Sequence, residues 1–143
     1  MKRDKLNFFQ PEEEKNLGQW LMEQGISAGF PSPADDFKEI RISLDRELVK
    51  NGDATFYAKV SGDSMINAGI YNNDIIIVDR SIKPKHGKIV VAALDGQMTI
   101  KRLYRHDDKI MLLPENELFK PIEILESMDM VIWGVATNVI HSL

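Results

Sequence analysis

The chain contains no cysteine among its 143 residues. A disulfide framework, a thiolate metal site and a cysteine nucleophile are therefore excluded. The three histidines, His86, His106 and His141, lie far apart and show none of the spacings typical of zinc ligands. We therefore expect neither a metal nor another cofactor.

Long apolar runs and an excess of positive charge are also missing. No stretch approaches the ~20 apolar residues that a membrane-spanning helix needs, and the polar residues after the basic start Met1-Lys2-Arg3 form no secretory signal. The formal charge of -4 argues against direct, sequence-specific DNA binding, which needs clustered lysine and arginine. We expect a cytoplasmic protein that does not bind membranes.

The composition that is present is typical of one folded domain, with 43% hydrophobic and 28% charged residues. Residues 1–50 are richer in charge and in helix-breaking residues, and we expect a flexible N-terminal arm. Within residues 12–24, helical spacing of four side chains predicts a short helix. They are Leu17, Trp20, Leu21 and Gln24. Residues 34–50 fit either a helix or an irregular strand.

A glycine- and proline-rich segment, residues 25–33, interrupts this arm. Pro31 and Pro33 disfavour the helical region for the residues before them, so Phe30 and Ser32 are predicted to be extended. A protease cleft binds an extended backbone as an added strand. The small-residue pair Ala28-Gly29 is therefore a candidate scissile bond.

From Thr55 onward the sequence predicts strands. They cover residues 55–60, 75–78, 88–94, 97–103, 110–113, 122–124 and 130–140, the last interrupted at Gly134. Asp95-Gly96 predicts a two-residue hairpin turn, because both positions of that turn need positive φ. Closely spaced strands with turns between them indicate a mainly β fold, a compact barrel or sandwich-like body.

Two residues in this β region form a candidate catalytic pair. Ser64 follows the first strand in Gly62-Asp63-Ser64-Met65, and Lys101 lies in a later strand. A serine hydroxyl needs a neighbouring base, and lysine is a base only when neutral, a form that burial favours. Gly62 allows a sharp bend, so that the backbone amides of Asp63 and Ser64 can stabilise an oxyanion.

Less specific interpretations remain open for the same residues. Serine is common in turns and most strand lysines face solvent. A Ser-His-Asp triad using Asp63 or Asp74 with His86 is not decided by spacing. If Ser64 only forms part of a turn, the chain fits a non-catalytic β module that binds a polymerase or another partner. A signal-peptidase-like enzyme shares the Ser/Lys chemistry but needs a membrane anchor.

Five segments in order along the chain resemble the UmuD branch of the LexA-type self-cleaving peptidases. They are residues 28–34, 60–65, 73–79, 86–92 and 99–102. The resemblance implies the peptidase β-fold of that family. It also implies Ser64 as the nucleophile, Lys101 as the general base and self-cleavage between Ala28 and Gly29.

The same resemblance implies a biological setting. Cleavage in this family is stimulated by the RecA–single-stranded-DNA filament in the SOS response to DNA damage. The processed form is a homodimer that joins a UmuC-type DNA polymerase for translesion synthesis. We accordingly expect residues 1–28 to be a removable arm, 29–50 the arm of the processed form and 51–143 the catalytic domain.

A self-cleaving transcriptional regulator is the remaining alternative within the superfamily. Such regulators carry a helix-turn-helix domain ahead of the cleavage site. Only 28 residues precede Gly29, and they are not notably basic, so we do not expect a DNA-binding domain there.

Overall fold

A computed structural model describes residues 5–10, 19–22, 28–29 and 39–143 of the chain. It divides into two compact units, one formed by residues 1–11 and 51–143 and the other by residues 12–50. The strands are β1 (Lys5–Phe9), β2 (Gln19–Met22), β3 (Glu39–Ile42), β4 (Thr55–Ser61), β5 (Ile75–Asp79), β6 (Ile89–Leu94), β7 (Gln97–His106), β8 (Lys109–Leu113), β9 (Ile122–Glu123) and β10 (Met130–Ile140). One α-helix, α1 (Leu44–Leu48), and two 3-10 helices, Gly52–Ala54 and Ile66–Ala68, accompany them in the described residues.

The larger unit is built on one eight-stranded sheet in the order β1-β4-β5-β10-β6-β7-β8-β9. Every neighbouring pair in it is antiparallel. The predicted mainly β fold is therefore confirmed. Among the helices in the part of the chain described, none is long and apolar enough to cross a membrane.

The turn between β6 and β7 is the predicted two-residue hairpin. Leu94 pairs with Gln97 across it, and Asp95 and Gly96 have φ angles of 48° and 81°. Positive φ at both central positions matches the right-handed twist of the flanking strands. This turn fixes the register of β7 and with it the position of Lys101.

The sheet carries apolar clusters on both faces. Val90 and Val91 are fully buried neighbours on β6, and successive strand residues point to opposite faces. The first cluster contains Ala58, Val60, Met65, Ile70, Ile76, Val78, Val91 and Ile100. The second contains Val90, Ala92, Leu103, Leu112 and Val135. Met65 and Ile100, which adjoin Ser64 and Lys101 in sequence, thus share one cluster.

An unpredicted feature is the edge strand β1, which pairs with β4 from Lys5 opposite Ser61 to Phe9 opposite Tyr57. Leu6 and Phe8, two residues apart, both pack against the first cluster. The Phe8 ring lies 4.7 Å from that of Trp133, centroid to centroid. Alternation of apolar side chains on one face explains why this short segment joins the sheet.

The smaller unit corrects one prediction about the arm. Trp20 and Leu21 lie in β2, which pairs antiparallel with β3, so the helix predicted within residues 12–24 is wrong at these positions. A helical window this short is marginal without packing, and strand pairing satisfies the backbone instead. Leu17 and Gln24 lie outside the described residues. Residues 34–50, which fitted either a helix or a strand, contain one of each: the strand β3 and the helix α1.

Gly134 marks an irregular register in β10, which otherwise continues through the predicted interruption. The pairing of β10 with β6 shifts between Ile132 and Gly134. A Cβ placed on Gly134 would lie 2.6 Å from Val78 Cγ1 and 3.3 Å from the Asp79 carbonyl oxygen. Val78 is fully buried and β-branched, so it has little freedom to move.

We therefore expect Gly134→Ala to destabilise the protein by about 1–3 kcal/mol, the usual cost of overpacking a core. The measurement is the free energy of unfolding from urea titration. Gly52→Ala is the matched control, because a Cβ there meets nothing within 4 Å. Equal stability of the two variants would contradict the close contact between β10 and β5.

Candidate active site

Ser64 lies in a tight turn directly after β4. Gly62 begins this turn with a φ of 116°, a conformation that residues with a side chain rarely adopt. Its N–H donates to Asn72 Oδ1 over 2.9 Å, which fixes the bend. Met65 packs into the first apolar cluster and leads into the 3-10 helix Ile66–Ala68. Anchored on both sides, Ser64 is only 1% exposed.

Lys101 lies in the middle of β7 and is unusually buried for a lysine, with 6% of its surface exposed. Its neighbour Ile100 and its cross-strand partner Val90 on β6 are both fully buried. Since β7 is an inner strand between β6 and β8, its middle is shielded on both edges. The amine therefore lies in the protein interior.

The structure brings the two predicted residues together. Lys101 Nζ lies 3.0 Å from Ser64 Oγ, and the contact is buried. The same nitrogen lies 2.8 Å from Thr99 Oγ1 and 3.0 Å from the Ile100 carbonyl oxygen. Three oxygen atoms thus surround the amine at hydrogen-bond distance.

These three contacts are compatible with either charge state of Lys101. An ammonium donates to all three oxygens, whereas a neutral amine has two N–H donors and one lone pair. The Ile100 carbonyl can only accept, so in the neutral state a hydroxyl of Ser64 or Thr99 donates to the lone pair. When Ser64 is that donor, its proton already points at the Lys101 nitrogen.

The loop after β8 holds the backbone of the turn that contains Ser64, called the serine turn below. The Glu115 N–H donates to the Ser64 carbonyl over 2.8 Å, and the Glu115 carbonyl accepts from the Asn67 N–H over 2.8 Å. Asn116 Nδ2 donates to the Asp63 carbonyl over 2.8 Å, while its Oδ1 accepts from the Leu118 N–H over 3.0 Å. The carbonyls of both Asp63 and Ser64 are therefore fixed by one loop.

Arg102 connects this loop to the strand that carries Lys101. Its Nε lies 2.5 Å from Glu115 Oε1, and its Nη1 donates to the Gly87 carbonyl over 2.6 Å. A guanidinium with several fixed donors holds a carboxylate in a defined orientation. The serine turn and β7, which carries Lys101, are thus linked by these polar contacts as well as by packing in the core.

The other predicted site residues belong to the smaller unit or have other partners. Ala28 and Gly29 form an exposed bend in the smaller unit. Phe30 and Ser32, predicted to be extended, lie outside the described residues. His141 Nδ1 lies 2.5 Å from Asp74 Oδ1, and His86 Nδ1 accepts from the Arg105 N–H. The nitrogen beside Ser64 Oγ is that of Lys101, which favours a Ser/Lys pair over the Ser-His-Asp alternative.

Sequence reasoning did not single out Thr99, Glu115 or Asn116. A signal for Thr99 existed, since residues two apart on a strand share a face and Thr99 precedes Lys101 by two. No such signal existed for Glu115 and Asn116. Polar residues after a proline in a loop are ordinary, and their contacts with the serine turn arise only from the fold.

Comparison with known proteins places the chain in a family. The Peptidase S24-like family matches residues 21–137, and the chain belongs to that family. It is 40% identical over 127 residues to protein ImpA of Salmonella typhimurium, covering 85% of this chain and 82% of that protein. It is likewise 40% identical over 121 residues to protein MucA of Escherichia coli, covering 84% and 80%.

A third relative is named as a repressor. LexA repressor 1 of Geobacter sulfurreducens is 43% identical over 99 residues, which is 69% of this chain but 48% of that protein. The resemblance to the UmuD branch of the LexA-type peptidases is confirmed by the family match together with ImpA and MucA.

Thr99 provides a test of the surroundings of the amine. A hydrogen-bond acceptor stabilises the charged form of a lysine, so Thr99→Val is expected to lower the pKa of Lys101 relative to the unaltered protein. The measurement is an NMR titration that follows the side-chain signals of Lys101. Thr137→Val serves as the control, because Thr137 Oγ1 contacts the Ile77 carbonyl instead. An unchanged pKa in Thr99→Val would contradict the contact, and a raised pKa would show that the Thr99 hydroxyl donates to the neutral amine instead.

Proposed function

We propose that this protein is a self-cleaving serine peptidase with a Ser/Lys dyad, which cuts its own Ala28–Gly29 bond. The observation that carries the proposal is the buried 3.0 Å contact between Lys101 Nζ and Ser64 Oγ. Membership in the Peptidase S24-like family supports the reaction class. The exposed bend at Ala28 and Gly29 supports the choice of bond, because a substrate backbone must be accessible.

Burial makes Lys101 a usable base. An exposed lysine has a pKa of about 10.4 and is protonated at neutral pH. Removal from water disfavours the ammonium and lowers the pKa of Lys101, while its oxygen neighbours act in the opposite direction. The dyad needs only a fraction of the amine to be neutral, because that fraction accepts the Ser64 proton.

The reaction proceeds in two stages through a covalent intermediate. Neutral Lys101 takes the proton of Ser64 Oγ as that oxygen attacks the Ala28 carbonyl carbon. Backbone amides of Asp63 and Ser64 stabilise the oxyanion that forms. The tetrahedral intermediate breaks the Ala28–Gly29 bond as Lys101 gives its proton to the departing Gly29 amine. Water then hydrolyses the ester between Ala28 and Ser64.

Because the substrate bond lies in the same chain as the catalytic residues, those residues need to lower the barrier by less. A substrate bond in the same chain, held in a reactive position, gains an effective molarity equivalent to about 7–11 kcal/mol of the barrier. Slow cleavage in the resting state follows if the bond is docked only rarely. We propose that the RecA–single-stranded-DNA filament raises the docked population by binding that state preferentially.

Cleavage at this bond also changes the sheet. It breaks the covalent connection between β1 and β4, so that residues 1–28 are held by the pairing of β1 with β4, by the packing of Leu6 and Phe8 and by the pairing of β2 with β3. Loss of the tether lowers the effective concentration of the strand, and β1 can leave. Residues 29–143 then form the processed protein, with residues 29–50 as its arm and 51–143 as its catalytic domain.

The relation to the UmuD branch supports the wider role. We propose that the protein acts in the cytoplasm in the SOS response to DNA damage, and that its processed form is a homodimer. That form joins a UmuC-type polymerase as an accessory subunit in translesion synthesis. A non-catalytic β module for the same polymerase is the competing function, and self-cleavage separates the two.

Ser64→Ala and Lys101→Ala are each expected to abolish cleavage, because one removes the nucleophile and the other the base. The measurement is the mass of the fragments and the new N-terminus at Gly29 after incubation of the purified chain. Ser61→Ala and Lys59→Ala are matched controls, since both residues are exposed in the same region. Full processing by a dyad variant refutes its assigned role, and an intact unaltered chain favours the non-catalytic module.

The rate of unstimulated cleavage is expected to rise from pH 7 toward pH 10. Raising the pH converts Lys101 to the neutral base, so the rate follows the deprotonated fraction and levels off above the pKa of Lys101. Quantified fragment masses over time give the profile, with Ser64→Ala as the baseline at each pH. A flat profile across this range would argue against a lysine base. The RecA filament is omitted, so that the pH profile reports the cleavage reaction and not its stimulation.

A further inference from the structure

Asn116 has a more specific arrangement than an ordinary loop asparagine. The residue is 9% exposed, and both ends of the side-chain amide are engaged. Nδ2 donates to the Asp63 carbonyl and Oδ1 accepts from the Leu118 N–H. The second contact closes the loop on itself, whereas the first reaches a residue 53 positions away beside the nucleophile.

The geometry of the peptide bond transmits this contact to the active site. A trans peptide is planar, and its C=O and N–H point in opposite directions. The carbonyl of Asp63 and the N–H of Ser64 belong to the same peptide plane. Fixing the Asp63 carbonyl on Asn116 therefore fixes the direction of the Ser64 N–H on the opposite side.

The next peptide is held from the same side. The Glu115 N–H donates to the Ser64 carbonyl, which sets the orientation of the plane between Ser64 and Met65. Glu115 is itself fixed through Arg102 on the strand of Lys101. Two successive peptide planes around the nucleophile are thus oriented by neighbouring residues of one loop.

We infer that Asn116 is a positioning residue for the oxyanion hole: it holds the Asp63–Ser64 peptide so that the Ser64 N–H points at the developing oxyanion. The inference rests on the proposed self-cleavage and deepens it. Without the Asn116 donor this peptide can rotate, and the preorganisation that makes such a donor effective is lost. Asn116 itself touches neither the substrate nor the reacting atoms.

Two variants separate the two halves of the Asn116 amide. Asn116→Asp keeps the acceptor for the Leu118 N–H but removes the donor to Asp63. Asn116→Leu removes both and adds no charge. Removing a direct oxyanion donor costs about 10²–10³ in rate, so loss of a residue that only orients one is expected to cost about 10-fold to 100-fold in both variants. If closure of the loop alone mattered, Asn116→Asp would cleave at the normal rate, and that result overturns the inference.

The pH profile distinguishes this role from an effect on the base or on folding. In Asn116→Leu the rate is expected to fall by the same factor at every pH, with the midpoint unchanged, because Lys101 keeps its contacts. The thermal unfolding midpoint must lie well above the assay temperature. A shifted pH midpoint, or a loss of rate that matches the unfolded fraction, overturns the inference. Asn51→Leu and Asn51→Asp, at an exposed asparagine, are the matched controls and are expected to cleave normally.

A measurement without cleavage keeps the two proposals apart. In Ser64→Ala, NMR scalar coupling across the hydrogen bond between Asn116 Nδ2 and the Asp63 carbonyl reports the contact directly. Residual dipolar coupling of the amide at position 64 reports the orientation of the peptide, which is expected to change when Asn116→Leu is added. An unchanged orientation overturns the inference. Absence of cleavage by the unaltered chain, with the orientation effect present, overturns the proposed function instead.

Discussion

The central feature of this protein is a buried amine beside a buried hydroxyl. Taking a lysine out of water is costly unless oxygen atoms replace its hydration, and here Ser64, Thr99 and the Ile100 carbonyl do so within 3.0 Å. Burial disfavours the charged form of an amine, whereas oxygen neighbours favour it. A site that is unfavourable for an ordinary lysine is therefore the kind of site that the proposed dyad needs for its base.

The fold meets this constraint by anchoring both partners in the same interior. Met65 and Ile100, each next in sequence to a member of the pair, lie in one apolar cluster, which anchors the backbone of the turn that contains Ser64 and that of β7. The loop with Glu115 and Asn116 adds polar contacts to the backbone of the serine turn. Packing fixes where the side chains meet, and the loop fixes how the peptide planes face. Self-cleavage requires both, since reactivity depends on distance and direction together.

Much of the β unit was predictable because its signals are local. Alternating or continuous apolar runs mark the strands, and Asp95-Gly96 marks a hairpin whose positive φ angles the structure confirms. Sequence patterns within a segment gave the wrong secondary structure where pairing with another strand determined it. Trp20 and Leu21 have helical spacing yet lie in a strand paired with β3, and Lys5–Phe9 join the sheet edge although they read as part of an arm.

The amino-acid sequence alone shows which residue types are available for chemistry. It contains no cysteine, it has Ser64 in a glycine turn and it has Lys101 in a strand. Three features follow from the folded chain and not from any local pattern: Lys101 is buried, its amine contacts a hydroxyl 37 positions away, and Asn116 donates to the Asp63 carbonyl. The reason is that a strand's periodicity records which residues share a face. Burial and hydrogen bonding depend on segments that folding brings together from distant parts of the chain.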